Sequence, residues 1–353
     1  MDMKYVLNAK DMEQRSFWEL LWKRWPQREV FAHPAYVELF CRENDEPICF
    51  VFEQKNGIVL FPAIVRPLKN EIWAKELEAY YDIVSPYGYG GAFFWGDIEE
   101  NAFWESFYNW AIRSNIISCF CRLSLFNQNQ LEFKGEREFV SLNIVVDLSK
   151  TIEQIWLNYE HKVRKNVKRA KSVGVSIEID NSGRYLEAFL DIYYSTMRRK
   201  NAKDIYYFPK NFFIRLLNNI SENVIFFHAK KNDTIISSEL VLVSEERIYS
   251  FLGGTKAEAF EYRPNDYLKH SIIEWGISKN KKEFILGGGY EINDGIYKYK
   301  RSFAPDGEAR FYIGKIIFNR EIYNKCISLR RQYELEQGHN WEPNPNYFPE
   351  YRS

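Results

Sequence analysis

Two neighbouring stretches of this 353-residue chain carry residue types suited to holding and activating a ligand. Phe284-Ile285-Leu286 runs into Gly287-Gly288-Gly289-Tyr290, and Asp294-Gly295-Ile296-Tyr297-Lys298-Tyr299-Lys300-Arg301-Ser302-Phe303 follows. Consecutive glycines after a strand let a backbone approach a ligand closely, because no Cβ stands in the way. Read as a strand, the alternating Tyr and Lys put rings on one face and cations on the other. That layout suits a phosphate, nucleotide or carboxylate beside an apolar body.

Four further places could do chemistry. Glu239 lies in Ser237-Ser238-Glu239-Leu240-Val241-Leu242-Val243, an otherwise apolar strand. A carboxylate there is costly unless paired or used, and desolvation lifts it toward the general-base range. A bond to an arginine of a neighbouring strand is the alternative, and His228 in the facing strand is a second candidate base or a packed core residue. The run His161-Lys162-Val163-Arg164-Lys165-Asn166-Val167-Lys168-Arg169-Ala170-Lys171 places Val163, Val167 and Ala170 on one stripe and cations everywhere else. With no acid alongside, it is a candidate anion site, with Arg164 and Lys168 one turn apart. Gly253-Gly254, followed by Arg263-Pro264-Asn265, offers exposed amides at a helix start that Pro264 opens. Ser85-Pro86-Tyr87-Gly88-Tyr89-Gly90-Gly91 offers Tyr87 and Tyr89 as a floor for a base or sugar, or else is an aromatic-rich turn. No Gly-x-x-x-x-Gly-Lys and no spaced Gly-x-Gly-x-x-Gly occurs, which sets aside P-loop and dinucleotide-fold readings.

The elements that would position these residues repeat. An apolar run from Cys49, a turn at Lys55-Asn56-Gly57 and a run from Ile58 to Val65 predict a β-hairpin; Val224 to Ala229, Lys231-Asn232-Asp233 and Ile235 to Val243 predict another. Each leads through a glycine-bearing segment to a helix with a similar ending, Trp110-Ala111-Ile112 against Trp275-Gly276-Ile277, and then to a strand, Ile116 to Leu125 or Glu283 to Leu286. The order predicts α/β (α+β) architecture: two tandem domains, each a mixed, mostly antiparallel sheet flanked by helices, with a ligand cleft between and along them. Further helices are predicted over Thr151 to Lys171, opened by a Thr-x-x-Gln cap, Arg184 to Arg199, Pro209 to Ile220 and Arg320 to about Leu335, with a last strand from Arg310 to Phe318. Boundaries at 1–148 and 149–337 leave 338–353 as a Pro- and aromatic-rich tail expected to lie extended on the surface.

Lys plus Arg balance Asp plus Glu at 48 each, so net charge announces no nucleic-acid binder, and any such contact would need a local patch. The five cysteines lack Cys-x-x-Cys spacing, which points to reduced thiols and to neither zinc nor a disulfide framework. No apolar segment has signal-peptide or bilayer-spanning length, so a soluble cytoplasmic protein is expected.

Together the basic helix with Gly174-Val175, Tyr193-Tyr194-Ser195-Thr196-Met197-Arg198-Arg199-Lys200 with Tyr206-Tyr207-Phe208, Pro86 to Gly91, and the Gly287 to Phe303 run resemble the FemAB-like family of tandem GNAT-type transferases. The resemblance implies transfer of an acyl or aminoacyl group to an amine. It gives Lys300, after Tyr299, a part in catalysis, and gives phosphate contacts to the basic helix. Glu239 and Lys300 are then the catalytic candidates. Gly253, Gly254, Arg263, Asn265 and Lys298 are assigned to the donor; Tyr87, Tyr89, Arg164, Lys168 and Tyr299 to the acceptor and its phosphates. The chain lacks a long helical hairpin arm, which leans against tRNA, and lacks the Arg/Gln-x-x-Gly-x-Gly/Ala loop of simple CoA-dependent acetyltransferases. The leading expectation is an N-acyltransferase using acyl-CoA, without metal, on a nucleotide-linked amino sugar for cell-envelope polysaccharide. Aminoacyl-tRNA-dependent transfer to a peptidoglycan precursor, and a non-catalytic binding module, are the alternatives.

Overall fold

Residues 2–289 and 293–353 are described in the computed structural model, and they divide between two units, Met1–Val140 with Phe311–Ser353, and Ser141–Arg310. Along the first unit run β1 (Met3–Asn8), α1 (Met12–Arg24), α2 (Pro34–Glu38), β2 (Glu46–Gln54), β3 (Gly57–Pro67), β4 (Tyr81–Val84), β5 (Phe93–Gly96), α3 (Glu100–Arg113) and β6 (Ile116–Arg122). The chain enters the second unit with β7 (Glu136–Asp147), then α4 (Ile152–Asn158), α5 (His161–Ser172), β8 (Ser176–Asp180), α6 (Leu186–Arg199) and α7 (Lys210–Ile220). There follow β9 (Val224–Lys231), β10 (Thr234–Val243), β11 (Arg247–Thr255), α8 (Pro264–Ser278), β12 (Glu283–Gly287) and α9 (Gly295–Arg301). β13 (Glu308–Ile317) and α10 (Arg320–Glu336) return to the first unit.

Each unit repeats one topology. In the first the strands lie in the order β1-β2-β3-β4-β6-β13, with β5 also paired to β3; in the second the order is β8-β9-β10-β11-β12-β7. Neighbours are antiparallel except for one parallel pair in each, β4/β6 and β11/β12. That pair is joined by a crossover helix, α3 in one unit and α8 in the other, as parallel strands require.

Both faces of the central strands are apolar because both are covered. Phe50 and Phe52 of β2 pack with Phe103 and Phe107 of α3, while Cys49 and Val51 pack with Trp18 and Leu21 of α1. In the second unit Phe227 meets Trp275 of α8, and Phe226 meets Phe189 of α6 on the opposite face. Val163, Val167 and Ala170 of α5 are buried in the same core as Ile272 and Ile273 of α8, as their spacing predicts.

Four expectations change. The helix expected over 151–171 is two, opened by the Thr151–Gln154 capping box and interrupted at Tyr159-Glu160, where Glu160 N donates to Ser302 O at 2.9 Å. The Tyr297–Arg301 run is helix α9, not a strand: Asp294 caps it by accepting from Tyr297 N at 2.7 Å, and helical spacing scatters the alternating rings and cations around its faces. The segment 311–337, assigned to the second domain, belongs to the first unit, where β13 pairs with β6. The tail also departs from an extended surface course. Tyr351 is buried and donates to Asp82 Oδ2 at 2.9 Å, and Arg352 Nε donates to the same oxygen at 2.6 Å.

Candidate active site in the second unit

A bend in one strand makes the site. β11 and β12 pair in parallel from Arg247↔Glu283 to Tyr249↔Ile285, yet β11 continues to Thr255 and β12 to Gly287. On its other side Leu240 of β10 pairs with Leu252 but Val241 with Ser250, so Phe251 is an extra residue, a β-bulge. A bulge bends its strand and raises the local twist, which turns β11 away from β12 just beyond the last pair. Arg247–Tyr249 are buried while Ser250–Gly254 are half-exposed. The second half of β11 therefore has, on the β12 side, a backbone edge with no strand paired to it among the described residues.

Beside this edge α8, α9 and the sheet bring together a cluster of buried polar groups. Glu239 of β10 faces α8 and forms a buried ion pair with Lys269, whose Nζ also donates to Ser250 Oγ at 2.6 Å. Burial pushes the Lys269 ammonium down, against the pull of Glu239. One helical turn earlier, Asn265 Nδ2 donates to Tyr299 Oη at 2.8 Å. Asp266, also buried, accepts from Asn166 of α5 at 3.2 Å, and burial raises its carboxyl above the usual range. Lys300 Nζ donates to Gly288 O at 2.7 Å. Burial, then repulsion from Lys269, brings the Lys300 ammonium down to about 8, with Glu239 and Asp294 opposing. A Cβ on Gly287 would stand 3.2 Å from Lys300 Nζ, so the glycine leaves room at the charge.

The sequence candidates separate into those the fold gathers here and those it does not. Glu239, Asn265, Tyr299 and Lys300 meet in the cluster, and Gly253 lies directly across from Glu239 in the β10/β11 register. Gly254 points to the other face, where a Cβ would strike Thr196 Oγ1, so both glycines belong to a strand and not to a cradle at the start of α8. Arg263, at the cap of α8, is exposed. Arg164 is committed to the end of α4, donating to Leu157 O at 3.0 Å and to Tyr159 O. Lys168 is exposed on α5, and exposed Lys298 lines a polar hollow with Lys162, Arg301 and Glu308. His228 is core: Nδ1 meets Ser238 Oγ at 2.6 Å, on the sheet face away from Glu239. Tyr290 lies outside the described residues.

Lys269, Asp266, Asn166 and Ser250 were missed. A signal existed for Lys269, a lone cation in Leu268-Lys269-His270-Ser271-Ile272-Ile273 at helical distance from Asn265.

In the first unit the equivalent place is closed. Beyond Val84↔Phe120, Ser85 N donates to Phe120 O, Arg122 N to Ser85 Oγ at 2.9 Å, and Gly90 N to Arg122 O at 2.6 Å, while Gln130 Nε2 donates to Gly90 O. Gly88 sits at φ +106°, where a Cβ would strike Phe31. Tyr89 packs edge-on against both Phe31 and Phe311, and its phenol is pushed up by burial. Tyr87 stacks on Phe40, with the Arg122 guanidinium 5.9 Å from its ring centre.

Among the described residues no group of His, Cys, Asp and Glu could hold a metal ion, and no helix is long and apolar enough to cross a membrane. Residues 158–301, within the second unit, match the model of an acetyltransferase (GNAT) domain. No curated protein matches the chain. Among solved structures it is similar to FemX, with a TM-score of 0.65 at 11% identity over 88% of this chain and 98% of that one. It is also similar to the C-terminal domain of an Agrobacterium fabrum protein described as a lysylphosphatidylglycerol synthetase (TM-score 0.55, 14% identity, 93% of this chain and 96% of that one). L-PGS from Bacillus licheniformis gives 0.54 at 12% identity, over 96% of this chain and all of the other. At such identities the likeness is one of fold. The chain carries a GNAT domain and is an acyltransferase.

Proposed function

We propose that the protein transfers an aminoacyl group from an activated ester to a primary amine, at the divergence of β11 and β12. In this reading the donor's acyl arm lies along the Ser250–Gly254 edge, bonded through the backbone as an added strand would be. A neutral amine attacks the ester carbonyl; the C–N bond forms, the C–O bond breaks, and the proton lost by nitrogen ends on the leaving oxygen. The Lys300 ammonium stabilises the oxyanion that forms between these steps. Glu239, held by Lys269, serves to set the charge around Lys300 instead of acting as a free base.

The observation that carries the choice of donor is Asp266. A CoA pyrophosphate bound at the start of α8 would sit on its first-turn amides, but that turn already holds a buried carboxylate. The exposed cations of α5, Lys162, Lys165, Lys168, Arg169 and Lys171, suit a longer polyanion such as tRNA. Likeness to a domain whose name denotes an aminoacyl product supports the same reading. A second reading, acyl-CoA transfer to a nucleotide-linked amino sugar for cell-surface polysaccharide, draws on the donor that an acetyltransferase domain implies.

The test is amide formation on amine acceptors with charged tRNA and with acetyl-CoA as competing donors. Transfer from tRNA that falls steeply with salt and is lost in Lys165→Glu/Lys168→Glu supports the proposal. Transfer from the thioester alone, indifferent to those changes, moves the protein to the second reading.

A further inference from the structure

A hollow of about 550 Å³ opens on α9, on a different face from Lys300. Lys298 and Lys300 are two residues apart on this helix, so at 3.6 residues per turn their side chains leave it on nearly opposite sides. Lys300 turns to Gly288 and the polar cluster, and Lys298 to the hollow. Glu160 and Lys162 at the start of α5, Arg301 of α9 and Glu308 at the start of β13 complete its charged lining.

One carboxylate of this lining is fixed in place. Glu308 Oε1 accepts from the hydroxyl of Tyr297, a buried residue of α9 that also lines the hollow, and from Arg301 Nε at 3.0 Å. Among the described residues Glu308 Oε2 meets no donor, the Nη groups of Arg301 meet no acceptor, and the Lys298 ammonium pairs with no carboxylate. An anchored carboxylate and two cations therefore have hydrogen-bonding positions left for a ligand. The remaining pair, Lys162 with Glu160 at 3.3 Å, is half-exposed, and such pairs contribute little, so a ligand's charges can replace that contact at small cost.

We infer that this hollow binds a zwitterion, a free amino acid or short peptide, with its ammonium on Glu308 and its carboxylate on Lys298 and Arg301. The mixed signs select for such a ligand. Three cations and two carboxylates line the hollow, so a bare anion meets the repulsion of Glu160 and Glu308, and a bare cation meets that of Lys162, Lys298 and Arg301. A ligand with one charge at each end finds a complement for both. The Nη groups of Arg301 suit a carboxylate because the guanidinium fork can meet both of its oxygens. The site is independent of the acyl-transfer chemistry.

The test is isothermal calorimetry on the full chain at low salt and neutral pH. The probes are glycine, glycylglycine, N-acetylglycine, which is glycylglycine without its amine, glycylglycinamide, which lacks the carboxylate, and inorganic phosphate. Glycine or glycylglycine should bind with Kd at or below about 1 mM, the tighter of the two giving the length the hollow takes. N-acetylglycine and glycylglycinamide should each bind roughly tenfold or more weakly than that zwitterion. Glu308→Gln should weaken the zwitterion roughly tenfold without weakening N-acetylglycine, and Lys298→Met should weaken it several-fold without weakening glycylglycinamide. Both side chains are exposed, and thermal melts check that the variants are folded. No binding of either zwitterion by the wild type, phosphate bound as tightly as the zwitterions, or zwitterion affinity unchanged in either folded variant overturns the inference.

Discussion

Lys300 is held between opposed neighbours, and its protonation state decides how it can act. With its ammonium brought down to about 8, it is largely protonated near neutrality and loses its charge as pH rises further. If the cation stabilises the oxyanion, kcat should fall as pH rises through about 8, and Lys300→Met should lower kcat by about 10²–10³-fold. A lysine acting as base would instead make activity climb over that interval. Lys269→Met removes the charge that repels Lys300, so the falling limb should move to higher pH by about one unit or more. The pH dependence of kcat in both proteins checks the direction. Glu239 can be tested through stability. As the partner of buried Lys269 it should cost about 3–5 kcal/mol when replaced by Gln, seen in urea denaturation, because a buried cation loses its counter-charge. A free catalytic base would lose turnover with stability unchanged.

The Phe251 bulge and the glycines around it do at the scale of one strand what Lys300 does at the scale of a residue. Gly254→Ala drives a Cβ into Thr196 of α6, and should destabilise the protein by about 1–3 kcal/mol in chemical denaturation. Gly253→Ala meets Ser238 O at 2.6 Å beside Glu239, and should impair turnover as well. Much of this scaffold was legible in the sequence. Asn56-Gly57 and Asn232-Asp233 mark hairpin turns, and Asn232 and Asp233 do adopt positive φ. Trp110 and Trp275 mark the matching crossover helices, and Val163, Val167 and Ala170 mark the buried stripe of α5. The errors have local causes. Tyr297 to Lys300 alternates with the period of a strand, but the Asp294 cap starts a helix, which a pattern of side chains alone does not reveal. Arg164, assigned with Lys168 to the acceptor's phosphates, instead caps carbonyls left by the break at Tyr159-Glu160. The bulge at Phe251 depends on register between strands, and no residue type announces it.

At the scale of the whole molecule, the same topology is used twice with different contents. The second unit opens its parallel pair and carries the polar cluster; the first closes the corresponding place with Ser85 and Gly90 and recruits the C-terminal tail. Asp82, completely buried, is held below the usual carboxylate range by Arg66 and Arg352 against the cost of burial. A carboxyl depressed in the folded state contributes stability above its unfolded pKa, near 3.9, that is lost as pH falls through the folded value. Arg352→Met should therefore reduce stability at neutral pH by about 3 kcal/mol or more and flatten its fall on acidification, as read by urea titrations from pH 7 to about 2. The most direct test of where the chemistry happens is hydrogen–deuterium exchange with and without donor, using charged tRNA and acetyl-CoA separately. Whichever donor binds should slow exchange at the amides of Ser250–Gly254, where β11 has left β12. Binding that leaves those amides unchanged and protects other segments instead would contradict a reaction centre at this divergence.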